Sequence, residues 1–439
     1  MKVAIAGFGI EGRESYAYFK AQYEHDIVIL DERTQVDDLP SEAEVQLGHG
    51  VYDSLAEYDM VVRTAGLSPY RLATARQVWS ATNEFFARCP APIIGVTGTK
   101  GKGTTSSLIA SILRASGKTV HLVGNIGLPA LRVLGKIKPS DVVVYELSSF
   151  QLWDIQKSPH IAVVLMIETD HQDVHTSFDE YVGAKANIVR YQKSEDVCIY
   201  NNINLPAQLI GRTAQANVHE AYVGEAAVVQ RRRGEDDVEC FYYKNERICP
   251  TSVVRLPGSH NLDNAAAAIA AVRALEDVPP RYIEQGLQAF SGLAHRLKYV
   301  ATRQGVVFYD DSIATTPGSA IAAMRAFDAP KVLILGGSSK GADFQDLAKE
   351  VARQQMRHIV LIGAEAPRLA TALNEAAPRV SYTLIEEASM QQVVQQAWQK
   401  ASSGDVVILS PACASFGMFR NYQDRGEQFI AAVESLPDV

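Results

Sequence analysis

An α/β chain of mostly parallel sheets, divided into three domains, is what the sequence predicts. Short apolar runs alternate with helix-period segments along most of its 439 residues, the pattern that buried parallel strands and their crossover helices produce. Two glycine-rich strand-to-helix junctions, Gly7-Phe-Gly9-Ile-Glu-Gly12 and Gly95-Val-Thr-Gly-Thr-Lys-Gly-Lys-Gly-Thr-Thr105, each stand near the start of a block. The prolines of Cys89-Pro90-Ala91-Pro92 and the pair His295-Arg296 mark the joints, so domains are expected at 1–91, 92–294 and 295–439. A chain of this length is too long for one ordinary core.

A net charge of −8, from 42 Lys and Arg against 50 Asp and Glu, argues against a nucleic-acid groove built on phosphate contacts. Arg231-Arg232-Arg233 is offset at once by Glu235-Asp236-Asp237 and reads as a solvated turn. Five cysteines, at 89, 198, 240, 249 and 413, show no C-x-x-C spacing; they suit reduced thiols and argue against zinc. The N-terminal apolar stretch is broken by Gly7, Gly9 and Glu11, and no window reaches the ~18 unbroken apolar residues of a membrane span. Neither signal peptide nor membrane span is expected, and the cytosol is the expected compartment.

In the first block, Val3-Ala-Ile-Ala-Gly7 and Ile27-Val-Ile-Leu-Asp31 read as strands. The glycines at 7, 9 and 12 followed by Asp31 match a dinucleotide fingerprint, in which the backbone approaches a pyrophosphate and the acid meets a ribose or base. Glycines needed only for tight strand–helix packing would give the same spacing, and the two readings stand level.

The second block opens on Ile93-Ile-Gly-Val96, a glycine loop, and the helical run Ser106 to Leu113. Strand, loop and helix are the context of a nucleoside-triphosphate cradle, in which backbone N–H groups and the helix start hold phosphates. Lys102 would reach their outer oxygens, and Thr104 or Thr105 would lie near magnesium. Glu146 ends the run Val142-Val-Val-Val-Tyr145, where a strand's carboxyl end can present a carboxylate to the metal. Asp170-His171-Gln172-Asp173 follows another apolar run; His171 is either a second metal ligand or a cap, since magnesium prefers oxygen. Lys185 lies in a helical segment that gives no sign of burial, and reads as surface. Asn261 and Asn264, in Gly258-Ser-His-Asn-Leu-Asp-Asn264, read as helix-start polar residues. A β-rich insertion is expected around 219–256. In the third block Val332–Leu335, Ile359–Ile362 and Val406–Leu409 are the expected strands.

Together, in order, the phosphate loop, Gly124-Asn-Ile-Gly-Leu-Pro-Ala-Leu131, Glu146-Leu-Ser-Ser-Phe-Gln-Leu152, Asp170-His171, Ala184-Lys185, Gly258 to Asn264, His295-Arg296 and Ser410-Pro-Ala-Cys-Ala-Ser415 closely resemble the Mur ligases over essentially the full length. The Gly124 to Leu131 segment, Ser148 to Leu152 and the tail Ser410 to Phe429 look like the branch that adds glutamate to UDP-N-acetylmuramoyl-L-alanine. The resemblance implies an N-terminal Rossmann-like UDP domain, a central phosphate-loop ATPase domain and a C-terminal Rossmann-like domain for the amino acid. It implies ATP, two magnesium sites and a peptide-bond-forming reaction through an acyl phosphate, by a cytoplasmic monomer of peptidoglycan precursor synthesis with D-glutamate as co-substrate. Gly9, Ile10, Glu11, Asp31, Glu32, Arg33 and Gly66 would surround UDP, with Asn125, Ser148 and Gln151 facing the muramoyl group. Gly98, Thr99, Lys100, Gly101, Lys102, Gly103, Thr104, Thr105, Asn261, Asn264, His295, Arg296 and Asp311 would contact ATP. Thr104, Glu146, His171 and a carbamylated Lys185 would serve the metals, and Thr315, Lys340, Ser415 and the Tyr422 backbone the glutamate.

Three departures bear on that implication. Lys100 and Gly103 stand where the family has Asn and a hydroxyl residue, which shifts hydroxyl support for magnesium to Thr104 and is similar to folylpolyglutamate synthases. Those enzymes, and a nucleotide-binding homologue that no longer ligates, are the alternatives. Ile313 replaces a lysine of the amino-acid pocket, forgoing a charge-assisted contact worth about 1.5–3 kcal/mol unless Lys340 or another base compensates. Arg63-Thr-Ala-Gly66 stands in place of Ser-Pro-Gly, and is expected to alter the uridine contacts without abolishing them.

Overall fold

Buried on both faces, the apolar runs fold as strands of parallel sheets. The computed structural model describes residues 1–439 except 24, 25, 171–173, 217, 225, 340, 386–388, 438 and 439. The chain divides into two compact units, one of residues 1–254 with 260–290 and one of residues 255–259 with 291–439.

The first unit begins with β1 (Lys2–Ala6), β2 (Asp26–Asp31), β3 (Glu44–Leu47), β4 (Met60–Arg63) and β5 (Val78–Ser80), all parallel in the order β3-β2-β1-β4-β5. Its three glycines divide by physical role. Gly7 has φ +89, and a Cβ there would lie 2.3 Å from Thr64 Oγ1; one on Gly12 would lie 2.0 Å from the Gly7 carbonyl oxygen. Those two are needed for the helix Ile10–Gln22 to pack on its strand. A Cβ on Gly9 would meet nothing within 4 Å, so Gly9 alone is open to a ligand.

The same unit continues with β6 (Ile93–Thr97), β7 (Val120–Gly124), β8 (Val142–Glu146), β9 (Ile161–Val164), β10 (Val197–Asn201) and β11 (Val218–Val223). This sheet is parallel throughout and runs β11-β10-β9-β6-β8-β7. From central β6 the chain goes first to one side and then to the other, and ligands of open α/β sheets bind where such a switch leaves a crevice at the strands' carboxyl ends. An antiparallel sheet of β12 (Val229–Arg233), β13 (Glu239–Tyr243) and β14 (Glu246–Pro250) follows. It corrects the reading of Arg231 to Arg233 as a turn. The arginines lie on an edge strand, where Arg231 pairs with Asp263 and Arg232 covers the Tyr242 ring at 4.1 Å. Charge on such a strand discourages edge-to-edge pairing, and the acidic residues after it form the hairpin turn, Asp237 with φ +57.

The second unit holds β15 (Lys298–Arg303), β16 (Val306–Asp310), β17 (Lys331–Gly336), β18 (Met356–Ile362), β19 (Tyr382–Ile385) and β20 (Val406–Leu409), in the order β15-β16-β20-β17-β18-β19. Only β15 is antiparallel. The hairpin from β15 to β16 turns through Gln304 (φ +48) and Gly305 (φ +77), the left-handed pair that matches strand twist in two-residue turns. Among the described residues no helix is long and apolar enough to cross a membrane.

Replacing Gly12 with Ala drives a methyl group into the Gly7 carbonyl. Such overpacking costs about 1–3 kcal/mol, so Gly12→Ala is expected to lower the urea midpoint, whereas Gly9→Ala leaves it within error of the parent.

Candidate active site

The phosphate loop leaves β6 and enters the helix Lys102–Ala115 through Gly101, whose φ of +85 only glycine adopts without strain. The first helical bond runs from Thr105 N–H to the Gly101 carbonyl at 2.8 Å. The helix itself therefore gives the amides of its first turn no acceptor, and they point where an anion would lie. Gly98, Thr99, Lys100, Gly101, Lys102, Gly103, Thr104 and Thr105 lie together here. Thr105 Oγ1 donates to Asn264 Oδ1 at 3.3 Å, and Asn264 Nδ2 donates to Asn261 Oδ1 at 3.0 Å. Both asparagines start the helix His260–Leu275, but they also tie it to the loop.

Glu146 ends β8 beside β6, paired in register with Val96, and is 4% exposed. Lys185 overturns the expectation of a surface residue. In the helix Phe178–Arg190 it shares the packed face of Tyr181, Ala184 and Ile188, and is 1% exposed. Its Nζ donates to the Gly98 carbonyl at 2.9 Å, and Lys102 Nζ donates to that same oxygen at 3.1 Å as well as to the Thr99 carbonyl at 3.1 Å. Burial and the charge of Lys102 hold Lys185 well below the ordinary lysine value, with Asp170 and Glu146 pulling the other way. Both effects favour the uncharged form of the amine. The loop is braced further by Thr99 Oγ1, which lies 3.0 Å from Tyr181 Oη and donates to the Glu168 carbonyl at 3.0 Å. His171 lies outside the described residues. Among those described, no three His, Cys, Asp or Glu residues cluster as a metal cage.

A cleft of about 240 Å³ lies in the same unit, lined by Ile10, Glu11, Glu14, Ala65, Gly124, Asn125, Leu131, Tyr145 and Gln151 among others. Four expected substrate residues thus belong to or adjoin one cavity: Ile10, Glu11, Asn125 and Gln151. Gly9 adjoins Ile10, and Gly66, whose own side would be open, adjoins Ala65. Asp31 accepts from Phe8 N–H at 2.8 Å and from Arg33 Nε and Nη2 at 2.9 and 2.8 Å, and the guanidinium holds its carboxyl down to about 2. Glu32 pairs with Arg71. Ser148 and Gln151 form a capping box for the helix Ser149–Leu152, with Gln151 N–H donating to Ser148 Oγ at 3.2 Å and Ser148 N–H to Gln151 Oε1 at 3.0 Å. Their pairing has a structural cause of its own. Arg63 differs from expectation: its side chain is fully buried and paired with Asp154, so it offers uridine no surface.

In the second unit the remaining residues gather at the carboxyl ends of β16 and β20, which pair Asp310 with Leu409. His295, at φ +60, has Nδ1 2.7 Å from Asp310 Oδ2. Asp311 accepts from Ser410 Oγ at 2.7 Å and from Leu297 N–H at 3.1 Å. Arg296 is close enough to oppose the rise that burial imposes on Asp311, whose carboxyl nonetheless reaches about 7. Thr315 follows in the loop, Ser415 is buried, and the Tyr422 carbonyl accepts from Ser312 Oγ at 2.8 Å. Sequence reasoning missed Arg425, fully buried and donating to Ser312 Oγ and to the carbonyls of Ser312, Cys413 and Ala414. An arginine in an amphipathic helix gives no sign of such burial. Desolvation lowers it to about 10. Lys340 lies outside the described residues.

A phosphate loop at the switch point of a parallel sheet, with a carboxylate at the neighbouring strand end, defines a phosphate-loop nucleotide-binding protein. Residues 96–272 match the Mur ligase middle domain, and residues 295–413 the Mur ligase glutamate ligase domain. The chain is 36% identical to the UDP-N-acetylmuramoylalanine--D-glutamate ligase of Acetivibrio thermocellus, covering 99% of this chain and 96% of that one. It is 35% identical to the same-named ligase of Symbiobacterium thermophilum, covering 99% and 98%. The chain belongs to the Mur ligase family. Solved structures share its fold: MurC of Thermotoga maritima at TM-score 0.62 and 17% identity over 99% of both chains, and MurF of Thermotoga maritima in complex with ADP at 0.60 and 17% over 98% and 93%. FolC of E. coli aligns at 0.58 and 19% over 81% of this chain and 92% of that one.

Asp311 carries a pH signature. The folded chain retains its proton from the unfolded carboxylate value near ~3.9 up to about 7, so the folded state binds more protons in that window and loses stability as pH rises through it. Asp311→Asn removes the titration. Its urea midpoint relative to the parent is expected to rise between pH 5 and pH 8.

Proposed function

We propose that this chain joins D-glutamate to UDP-N-acetylmuramoyl-L-alanine with hydrolysis of ATP to ADP and phosphate, in the cytosol, as a monomer. The reading is carried by one juxtaposition: the phosphate loop, the Glu146 carboxylate and the buried Lys185 amine, held well below the ordinary lysine value, stand together at the end of β6. Residues 1–91 would bind the UDP group, 92–294 ATP, and 295–439 glutamate.

Magnesium fits the donor set, since Glu146 and Thr104 offer hard oxygens and both are nearly buried. Bound there it would neutralise phosphate charge. Lys185 would provide a further oxygen ligand after its amine attacks carbon dioxide, forming an N–C bond and losing one proton; His171 is the second ligand that the family resemblance implies. Such an attack requires an unprotonated amine, the form that burial and the charge of Lys102 favour.

Lys102, leaving the Gly98 and Thr99 carbonyls, would pair with the outer phosphate oxygens, while the first-turn amides hold the inner ones. The acceptor carboxylate, placed by the cleft of Glu11, Asn125 and Gln151, takes the terminal phosphoryl group in line and becomes an acyl phosphate. Glutamate, held by Thr315, Lys340, Ser415 and the Tyr422 backbone, attacks the carbonyl carbon through its amine. The tetrahedral adduct expels phosphate, and the amine proton passes to solvent or base. His295, Arg296 and Asp311 would contact the nucleotide.

Phosphate release in ATP and magnesium tests the reading, with the muramoyl acceptor and D-glutamate, L-glutamate or no amino acid, and a folate acceptor in parallel. Turnover with D-glutamate and the muramoyl acceptor alone is expected; turnover with folate alone, or none, would overturn it. Lys185→Ala is expected to depress ligation at least about tenfold, equivalent to about 1.4 kcal/mol, and to recover in part with added short carboxylates. A fully active variant would remove Lys185 from the site.

A further inference from the structure

We infer that Arg63 is a positioning residue for the acceptor cleft: its guanidinium locks the segment Ser148–Asp154 onto the first sheet, and acceptor affinity depends on that lock. The inference rests on the reading that this cleft receives the muramoyl acceptor.

Arg63 ends the apolar strand β4 with a side chain of 0% exposure. A charge can be buried at low cost only where every donor is met, and here they are. Nε and Nη2 fork onto Asp154, at 2.7 Å to Oδ2 and 2.6 Å to Oδ1, and Nη2 also reaches the Phe150 carbonyl at 2.8 Å. Nη1 donates to the carbonyls of Leu67 at 2.8 Å, Thr64 at 3.3 Å and Ala65 at 3.4 Å. One side of the guanidinium therefore holds the loop after β4, and the other holds the segment that carries Gln151.

Both ends of this lock adjoin the cleft. Ala65 lines it, and its N–H donates to Oε2 of Glu11, another lining residue, at 2.6 Å. Gln151 lies between the two residues that Arg63 grips. Asn83 steadies the far side, donating to the Asp154 carbonyl at 3.0 Å and accepting from Gln156 N–H at 2.8 Å. Glu14, which also lines the cleft, pairs instead with Arg132, an arginine that is 53% exposed. Water and salt weaken such a pair, whereas the bidentate, desolvated pair of Arg63 fixes geometry. With no exposed surface, Arg63 acts on the ligand only through Glu11, Ala65 and Gln151.

The test compares Arg63→Lys, Arg63→Met and the double variant Arg63→Met/Asp154→Leu, which removes both partners of the ion pair together. Steady-state ligation with the full chain is expected to show a KM for UDP-N-acetylmuramoyl-L-alanine raised about tenfold or more in both Met variants, with kcat and the KM for ATP within about twofold. Arg63→Lys recovers part of the loss. Deuterium exchange is expected to quicken at 148–156 in the double variant and not in β1 or β2. A folded double variant with parental acceptor KM, or parallel rises in both KM values, would overturn the inference. Should the parent itself not use this acceptor, the functional reading fails separately, and unchanged exchange at 148–156 would then overturn the lock.

Discussion

Two lysine amines converge on one backbone oxygen, the Gly98 carbonyl, and the chemistry of the central site follows from that constraint. Two ammonium groups on a single buried acceptor repel each other, which favours the uncharged form of one of them. Lys185 is the one with no access to water, and burial together with the charge of Lys102 lowers its affinity for a proton. The positive φ of Gly98 and Gly101 turns the carbonyl inward and the helix amides outward. A single loop conformation thus joins an anion cradle to a buried lysine amine.

The first sheet and the cleft show how structural and functional demands fall on neighbouring residues. Of the three fingerprint glycines, two serve packing and one faces open space. Ser148 and Gln151 cap a helix, yet Gln151 also lines the cleft. A capping box fixes the rotamers of both side chains, and a fixed rotamer is what a binding wall requires. Asp31 orders the turn beside them, accepting from Phe8 N–H and from Arg33 N–H.

In the second unit the organising group is Arg425, whose guanidinium gathers three backbone carbonyls from the two loops that follow β16 and β20. Those loops carry Asp311, Thr315 and Ser415. Burying a guanidinium lowers its affinity for a proton, and burying a carboxyl raises it; both shifts occur here within a few residues.

Glycine spacing, apolar runs and strand-end acids were legible because they obey local rules: a positive φ, a period of two, a helix start. They determined the α/β class, the phosphate loop, Glu146 at a strand end and the three expected β-strands of the last block. The hairpin Lys298–Asp310 escaped notice because its strands lie at an edge and mix polar with apolar residues. What the tertiary structure alone decided is which polar side chains are buried. Lys185, Arg63 and Arg425 look like surface residues in sequence, since a long cationic side chain in a helix or at a strand end is usually solvated. Their burial depends on acceptors brought from distant segments: Gly98 for Lys185, Asp154 and Phe150 for Arg63, Cys413 and Ala414 for Arg425. Local sequence fixes where a charge sits along the chain; only the assembled fold brings the partners that make its desolvation tolerable.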